Sequence, residues 1–175
     1  MKSEQKEAKM ELRGDTEVVL TRYFAAPREL VFDCHTKPEL MRRWLIGPPG
    51  MVLETCQNDL KVGGRYLYVY ADKDGNKVGV YGKFTEVKVP EKFANTENYA
   101  MDMSAFNPDA PEDPNATVES RTFTMEGRKT LMTHTVKYAS AEVRKMMLES
   151  GAGPDSMEEC CQILDKLLQE LSQKI

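Results

Sequence analysis

In the last part of the chain, hydrophobic residues recur at steps of three and four, which is the spacing of one face of an α-helix. The members of this stripe are Met157, Cys160, Cys161, Leu164, Leu167, Leu168, Leu171 and Ile175. Polar residues such as Glu158 and Asp165 fall on the opposite face. Ser156 followed by Glu159 matches a capping box, so the pattern predicts one long helix over residues 156–175.

Before this helix, the hydrophobic pattern changes to a period of two, which indicates β-strands. Two short helices that open at Pro27 and Pro38 interrupt the strands over residues 27–34 and 38–45. A third short helix is predicted over residues 141–149. The predicted strands cover residues 17–24, 51–57, 65–71, 78–87, 92–100, 117–125 and 129–138.

A long helix with one apolar face needs a second apolar surface to cover it, and most of the chain consists of predicted strands. The sequence therefore predicts an α+β fold in which a curved antiparallel sheet of about seven strands wraps around the C-terminal helix. Because a strongly curved sheet cannot contact a straight helix along its whole length, we expect a wedge-shaped cavity between them. The proline-rich segment over residues 101–116 is expected to fold over the opening as a lid.

Large aromatic residues are predicted to line this cavity. Tyr66, Tyr68 and Tyr70 alternate along one strand, and their hydroxyl groups favour a cavity wall over a packed sheet face. Trp44 is interpreted either as a core anchor for the second short helix or as a stacking surface at the cavity mouth. The predicted ligand-binding residues are Trp44, Tyr66, Tyr68, Tyr70, Phe84, Tyr99, His134, Met157, Cys160, Cys161 and Leu164.

The 175 residues are enough for one domain, predicted over residues 16–175 behind a flexible charged tail at residues 1–15. The net charge of −4 and the lack of a Lys/Arg cluster argue against nucleic-acid binding. No apolar run is long enough to insert into a membrane. Four cysteines without a disulfide or metal-binding pattern indicate a reducing, cytoplasmic location. Composition leaves a monomer and a homodimer open.

Few residues of the chain are candidates for chemistry. His134 lies on the predicted inner face, where it is either a general base or ligand anchor, or a core histidine bonded to a neighbouring hydroxyl. The core interpretation is favoured because interior polar groups are usually satisfied. Cys34 and His35 lack further ligands at a metal-binding spacing, which predicts a buried cysteine beside a surface histidine. Cys160 and Cys161 are predicted as small hydrophobic residues of the cavity wall. We therefore predict no catalytic residue, no metal site and no cofactor.

Five short motifs follow one another along the chain. They are FAAPRELVF at residues 24–32, PELMRRWLIGPPG at 38–50, DLKVGGRY at 59–66, the stretch 87–97 and EGRKT at 126–130. Together they resemble the heat-shock-protein-90 ATPase activator homologue family of the SRPBCC (START/birch-pollen-allergen-like) superfamily. The resemblance extends from around residue 16 to the C-terminus. It implies the helix-grip fold, in agreement with the predicted sheet and helix.

The resemblance implies a function in binding, because the superfamily typically holds hydrophobic or aromatic small molecules between the sheet and the C-terminal helix. It also implies an alternative, a co-chaperone-like interaction module that stimulates a heat-shock protein 90 ATPase. A second alternative is a cyclase- or hydrolase-type enzyme that uses His134 with a carboxylate such as Glu97. Similar members tend to carry an aromatic residue at the position of Leu164, so this chain departs from the family at the predicted cavity wall.

Overall fold

Eight antiparallel strands form one sheet in the computed structural model, which describes residues 7–151 and 154–174, without the side chains at 154 and 155. Predictions for residues 1–6, 152–153 and 175 lie outside the described residues. The strands are β1 Lys9–Arg13, β2 Glu17–Phe24, β3 Met51–Asn58, β4 Arg65–Asp72, β5 Lys77–Lys88, β6 Lys92–Ala100, β7 Thr117–Glu126 and β8 Lys129–Lys137. The helices are α1 Arg28–Thr36, α2 Pro38–Met41, α3 Ala141–Glu149 and α4 Pro154–Ser172, and a short 3-10 helix covers Met103–Ala105.

The seven predicted strands match β2 to β8 to within one residue at each end, and the predicted α+β fold is confirmed. The long helix begins at Pro154, two residues before the predicted Ser156 cap, because proline suits the first turn of a helix. The second short helix ends at Met41 rather than at residue 45. After Met41, the backbone N–H groups of Arg43 and Trp44 donate three residues back, to Leu40 and Met41, so the chain continues as turns instead of an α-helix.

Strand β1 was not among the predicted elements, and it lies within the stretch predicted as a flexible tail. All five of its residues are exposed, including Met10 and Leu12, so no buried face contributed to its pattern. Its backbone pairs antiparallel with β2 from Lys9 opposite Thr21 to Arg13 opposite Glu17. Main-chain hydrogen bonds, rather than burial, place this edge strand in the sheet.

The sheet has the strand order β1-β2-β8-β7-β6-β5-β4-β3. Strands β2 and β3 are consecutive in the chain but lie near opposite ends of this order, so α1 and α2 between them cross one face of the sheet. Helix α4 packs on the same inner face, where its residues Leu164, Leu167 and Leu168 are buried with residues of the strands. None of the helices within the described parts of the chain is long and apolar enough to cross a membrane.

A buried arginine attaches α4 to the sheet. Arg22 of β2 donates hydrogen bonds from Nη2 to Glu158 and from Nη1 to Asp165, each at 2.8 Å. Its side chain is only 1% exposed, whereas the two carboxylates are 18% and 22% exposed. The two acidic residues lie seven positions apart on α4, which places them two turns apart on one face of the helix. The guanidinium therefore fixes the axial position of α4 against β2.

The proline-rich segment 101–116 lies on the outer face of the sheet. The ring of Phe106 packs edge-on against Tyr81, with ring centroids 4.8 Å apart. The side chain of Met103 occupies the space above Gly79, so that a Cβ at this glycine would collide with the Met103 sulfur. Residues 79 and 81 face away from Val80, which packs on the inner core. The prediction that this segment covers the inner cavity as a lid is therefore wrong.

A candidate ligand site between the sheet and the first helices

A cavity of about 80 Å³ lies on the inner face of the sheet. This volume corresponds to two or three water molecules at roughly 30 Å³ each. On one side it is bounded by α1, α2 and the residues that follow α2, and on the other by β4 to β7. Its wall is formed by His35, Met41, Trp44, Leu45, Tyr66, Tyr68, Phe84, Phe93, Asn95, Glu97, Glu119 and Arg121.

Four of the predicted ligand-binding residues line this cavity, namely Trp44, Tyr66, Tyr68 and Phe84. The structure places Tyr70 beside them on β4, where its ring packs directly against Gly47. A side chain at position 47 would collide with this ring, so the first glycine of the Gly-Pro-Pro-Gly turn is needed for close packing against Tyr70.

The four predicted residues of the C-terminal helix lie elsewhere. Cys161 and Leu164 are buried in the packed core, and Met157 and Cys160 are half-buried against it. Among the described residues of α4, none lines the cavity. Phe32 of α1 packs on the sheet, with its ring centroid 5.6 Å from that of Phe123. His35 of α1, Met41 of α2 and the residues after α2 form the wall opposite the sheet.

Trp44 combines the two roles that its sequence left open. Its indole Nε1 donates a 2.7 Å hydrogen bond to the backbone oxygen of Cys34, which anchors the chain after α2 to α1. The same ring lines the cavity and is only 8% exposed. It is also the chain's only tryptophan, so its fluorescence reports on this wall alone.

His35 is buried, and the prediction of a surface histidine beside Cys34 is wrong. Its ring packs 4.9 Å from the Trp44 ring and 5.1 Å from the Phe123 ring, measured between centroids. Its Nδ1 lies 2.8 Å from the backbone oxygen of Val31, one helical turn earlier. Burial lowers the pKa of His35 to about 3, so the imidazole is neutral at physiological pH. The bond within its own helix satisfies the ring without any surface exposure.

The hydroxyl groups of the cavity tyrosines are satisfied within the protein. Tyr66 donates to the backbone oxygen of Thr96 at 2.6 Å, and Tyr68 donates to the side chain of Asn58 at 2.8 Å. Burial raises the pKa of both tyrosines, so they stay neutral. These rings consequently offer a ligand mainly their aromatic surface.

Charged residues form the other end of the cavity. Glu97 of β6 and Glu119 and Arg121 of β7 face inward together with His134 of β8. Glu119 Oε2 lies 3.1 Å from Arg121 Nη1 and 3.3 Å from His134 Nε2. Glu97 is hydrogen-bonded to Glu119 and accepts a short hydrogen bond from the Tyr99 hydroxyl. We call these five residues the polar cluster.

The pKa values of the two carboxyl groups of the polar cluster are shifted in opposite directions. Burial, together with the adjacent Glu119 carboxylate, raises the pKa of Glu97 to about 8. Burial also opposes ionisation of Glu119, but the Arg121 charge and the hydrogen bond from Glu97 hold the pKa of Glu119 below its usual range. At neutral pH Glu97 is therefore the protonated partner that donates to ionised Glu119.

His134 contacts Glu119 rather than the Glu97 carboxylate that its sequence suggested as a partner. Burial and the nearby Arg121 charge lower the pKa of His134. The histidine is therefore a neutral neighbour of an ionised carboxylate. This arrangement can hold a proton on Glu97, and it can hydrogen-bond a polar group in the cavity.

Sequence reasoning identified Glu97 as a possible carboxylate partner but missed Glu119, Arg121 and Asn95. The alternation of strand residues contained a signal for the two residues of β7. Glu119, Arg121 and Phe123 are spaced two apart and so share one face of β7, and Phe123 is 1% exposed. Charged residues in phase with a buried aromatic residue point into the core.

A family model described as Activator of Hsp90 ATPase homolog 1-like protein matches residues 25–171. The chain belongs to this family. The match includes α1, α2 and strands β3 to β8, and hence every residue of the cavity wall and the polar cluster. The resemblance inferred from the five motifs is thereby confirmed.

Solved structures of bacterial proteins share the fold of this chain. Protein Ms6760 from Mycobacterium smegmatis is 28% identical, with 93% of this chain and 98% of that chain covered and a TM-score of 0.76. A protein from Rhodobacter sphaeroides is 24% identical, with 94% and 99% covered and a TM-score of 0.80. A protein from Arthrobacter aurescens is 24% identical, with 93% and 91% covered and a TM-score of 0.74. No curated protein matches the chain.

Proposed function

We propose that this protein binds a small hydrophobic or aromatic molecule in the cavity between β4–β7 and the first helices. The observation that carries the proposal is the cavity itself, which combines aromatic walls from Trp44, Tyr66, Tyr68 and Phe84 with a polar end at Glu97. An apolar pocket with a few convergent polar groups is the usual form of a small-molecule site.

The size of the cavity limits the ligand. About 80 Å³ accommodates a group of a few non-hydrogen atoms. A larger ligand needs the wall to move, and Leu45 is suited to this because it is only half-buried and follows the last turn of α2. Trp44 beside it is fixed to α1 by its indole hydrogen bond.

The proposal is tested by native mass spectrometry of the purified protein and by titration of Trp44 fluorescence with propan-1-ol and phenol. Leu45→Phe fills the cavity and is expected to weaken binding of both probes at least tenfold. Leu40→Phe is the matched control, because Leu40 packs on the same core without lining the cavity. Equal binding by both variants, or unchanged Trp44 emission in the wild-type protein, would refute the proposal.

The family description favours a second function, stimulation of a chaperone ATPase. A docking function of this kind uses exposed apolar surface, and Val52 and Met101 are 69% and 77% exposed. We expect such a module to raise the ATP turnover of purified heat-shock protein 90. An unchanged turnover rate at saturating concentrations of the protein removes this function.

A further inference from the structure

We infer that the ligand of this cavity is a small primary ammonium ion, which binds between the Glu97 and Glu119 carboxyl groups and the aromatic wall. The inference rests on the binding site proposed above and assigns its ligand class. Three features support the inference: the charge balance of the cavity wall, the existing partners of Arg121 and the aromatic rings of the wall.

The charge balance of the wall lacks one cation. The described cavity wall contains two carboxyl groups, Glu97 and Glu119, but a single permanent cation, Arg121. Both imidazoles near the site, His35 and His134, are neutral because burial lowers the pKa of each. Full ionisation would therefore leave one buried negative charge without compensation, which is strongly unfavourable.

Arg121 is already occupied by other groups of the site. Its Nη1 lies 3.1 Å from Glu119, and its guanidinium carbon lies 5.7 Å from the centroid of the Phe93 ring. The guanidinium thus neutralises Glu119 and leaves Glu97 to be balanced separately. An anionic ligand would meet two carboxyl groups at the same end of the cavity, so the wall disfavours it.

In the absence of a cation, a proton balances Glu97. The hydrogen bond between Glu97 and Glu119 requires this proton, since two ionised carboxylates have no donor between them. The remaining titratable groups around Glu97 are tyrosines: Tyr66 on β4, Tyr99 on β6 and Tyr138 after β8. The pKa of each is raised by burial, so these hydroxyls are neutral and contribute no competing charge.

An ammonium group satisfies the site better than a proton alone. It brings a full positive charge and three hydrogen-bond donors to the carboxyl pair. The aromatic rings of Trp44, Tyr66, Tyr68 and Phe84 offer an electron-rich wall to the same charge. Binding is then an exchange in which the ammonium ion enters, the Glu97 carboxyl ionises and one proton leaves to solvent.

The exchange is measured by titrating Trp44 fluorescence with ethylammonium chloride, with the neutral alcohol propan-1-ol and with sodium acetate, at constant ionic strength. The ethylammonium dissociation constant is expected to fall about tenfold per pH unit as pH rises from about 6 to 7, because one proton is released. Propan-1-ol is expected to bind equally at both pH values. Calorimetry in two buffers of different ionisation enthalpy counts the released proton.

Glu97→Gln removes the ionisable carboxyl and keeps its size and its ability to donate to Glu119. We expect this variant to bind ethylammonium at least tenfold more weakly than the wild type and without pH dependence. Glu86→Gln is the control, since Glu86 pairs with Lys92 and its side chain is 51% exposed. Binding of propan-1-ol shows in each variant that the cavity is intact.

The outcomes separate the two proposals. If propan-1-ol binds but ethylammonium binds no better, or without pH dependence, the ammonium inference is overturned and the proposed binding function stands. If acetate binds more tightly than ethylammonium, the ligand class is wrong. If none of the probes changes Trp44 emission, the inference and the proposed function fall together.

Discussion

At the scale of single residues, the polar cluster is the part of the molecule whose energetics depend most on pH. A carboxyl group inside a sheet loses its hydration, and this loss favours its neutral form. Glu119 escapes protonation because it has Arg121 beside it, whereas Glu97 has only a second acid and the Tyr99 hydroxyl. Two chemically identical side chains of one cluster thus differ in charge, since Glu97 is neutral and Glu119 is ionised.

This difference predicts an unusual stability profile. The pKa of Glu97 is about 8 in the folded protein against an ordinary 4.5, so folding takes up a proton between these pH values. The contribution of Glu97 is fully present below about pH 4.5 and is lost as pH rises towards 8, at up to about 1.4 kcal/mol per pH unit. Glu97→Gln, which cannot ionise, is expected to remove this decline.

The measurement is the free energy of unfolding from urea titrations of both proteins at about pH 5, 6, 7 and 8. Glu86→Gln serves as control and should run parallel to the wild type, because Glu86 is solvent-exposed. If the free energies of unfolding of the wild type and Glu97→Gln differ by a constant amount over this range, Glu97 does not titrate there. The protonated state assigned to Glu97 is then wrong.

At the same scale, the burial of His35 could not be predicted from the local sequence pattern. Its burial follows from three rings contributed by distant parts of the chain, Phe24, Trp44 and Phe123. The side chains of adjacent helical residues point about 100° apart around the helix axis, so Cys34 and His35 point in different directions. This angle does not exclude burial of both side chains. Only the position of α1 between sheet and α2 decides that both directions are covered.

At the scale of elements, α4 is held to the sheet by packing and by Arg22. The ion pairs form between a buried guanidinium and carboxylates that remain partly accessible to water. Removing Arg22 leaves Glu158 and Asp165 without their cation and also removes a side chain stacked over the Phe24 ring. Arg22→Leu is therefore expected to lower the free energy of unfolding by about 3 kcal/mol, the lower end of the range for breaking a buried pair.

Urea denaturation of Arg22→Leu and of Arg13→Leu tests this contribution. Arg13 on β1 pairs with Glu11, and its side chain is 52% exposed, so its replacement should change stability by less than about 1 kcal/mol. Equal effects of the two substitutions would mean that Arg22 does not anchor α4.

The apolar face of α4 allows a second test at this scale. Leu167 is 4% exposed within the core under the sheet, and Leu167→Ala removes its buried methyl groups and leaves a cavity. We expect a loss of roughly 2–5 kcal/mol in the free energy of unfolding. Gln169→Ala, two positions along on the exposed face, should be close to neutral. A loss below about 1 kcal/mol for Leu167→Ala would mean that packing of α4 contributes little to the stability of the fold.

The elements themselves were predictable wherever burial imposed a period. Strands β2 to β8 alternate because one face meets the core, and the stripe of α4 repeats at helical spacing for the same reason. Strand β1 has no buried residue, and its pairing with β2 depends on main-chain bonds that leave no trace in side-chain pattern. The end of α2 depends on a turn, not on burial, and was predicted four residues too late.

At the scale of the whole molecule, the two faces of the sheet have separate coverings. Helices α1, α2 and α4 cover the inner face, and the segment 101–116 covers part of the outer face. Aromatic residues of the inner face line the cavity, whereas the sequence pattern indicated α4 as its opposite wall. Periodicity identifies the inward residues of each strand, whereas the choice of helix that faces them depends on the crossing of α1 over the sheet.

This separation predicts that the outer segment and the cavity respond independently. Phe106→Ala removes the ring that packs on Tyr81, so cleavage within residues 101–116 by a protease should become faster. Because Phe106 lies on the outer face, the propan-1-ol dissociation constant measured by Trp44 fluorescence should stay within about twofold of the wild-type value.

Phe84→Ala provides the matched comparison from the inner face of the same strand as Tyr81. Phe84 is 3% exposed and lines the cavity, so its truncation should destabilise the fold by about 3–5 kcal/mol and change the propan-1-ol dissociation constant by tenfold or more. If Phe106→Ala alters binding as strongly as Phe84→Ala, the outer segment communicates with the cavity through the sheet. The two faces of the sheet would then act as one unit and not independently.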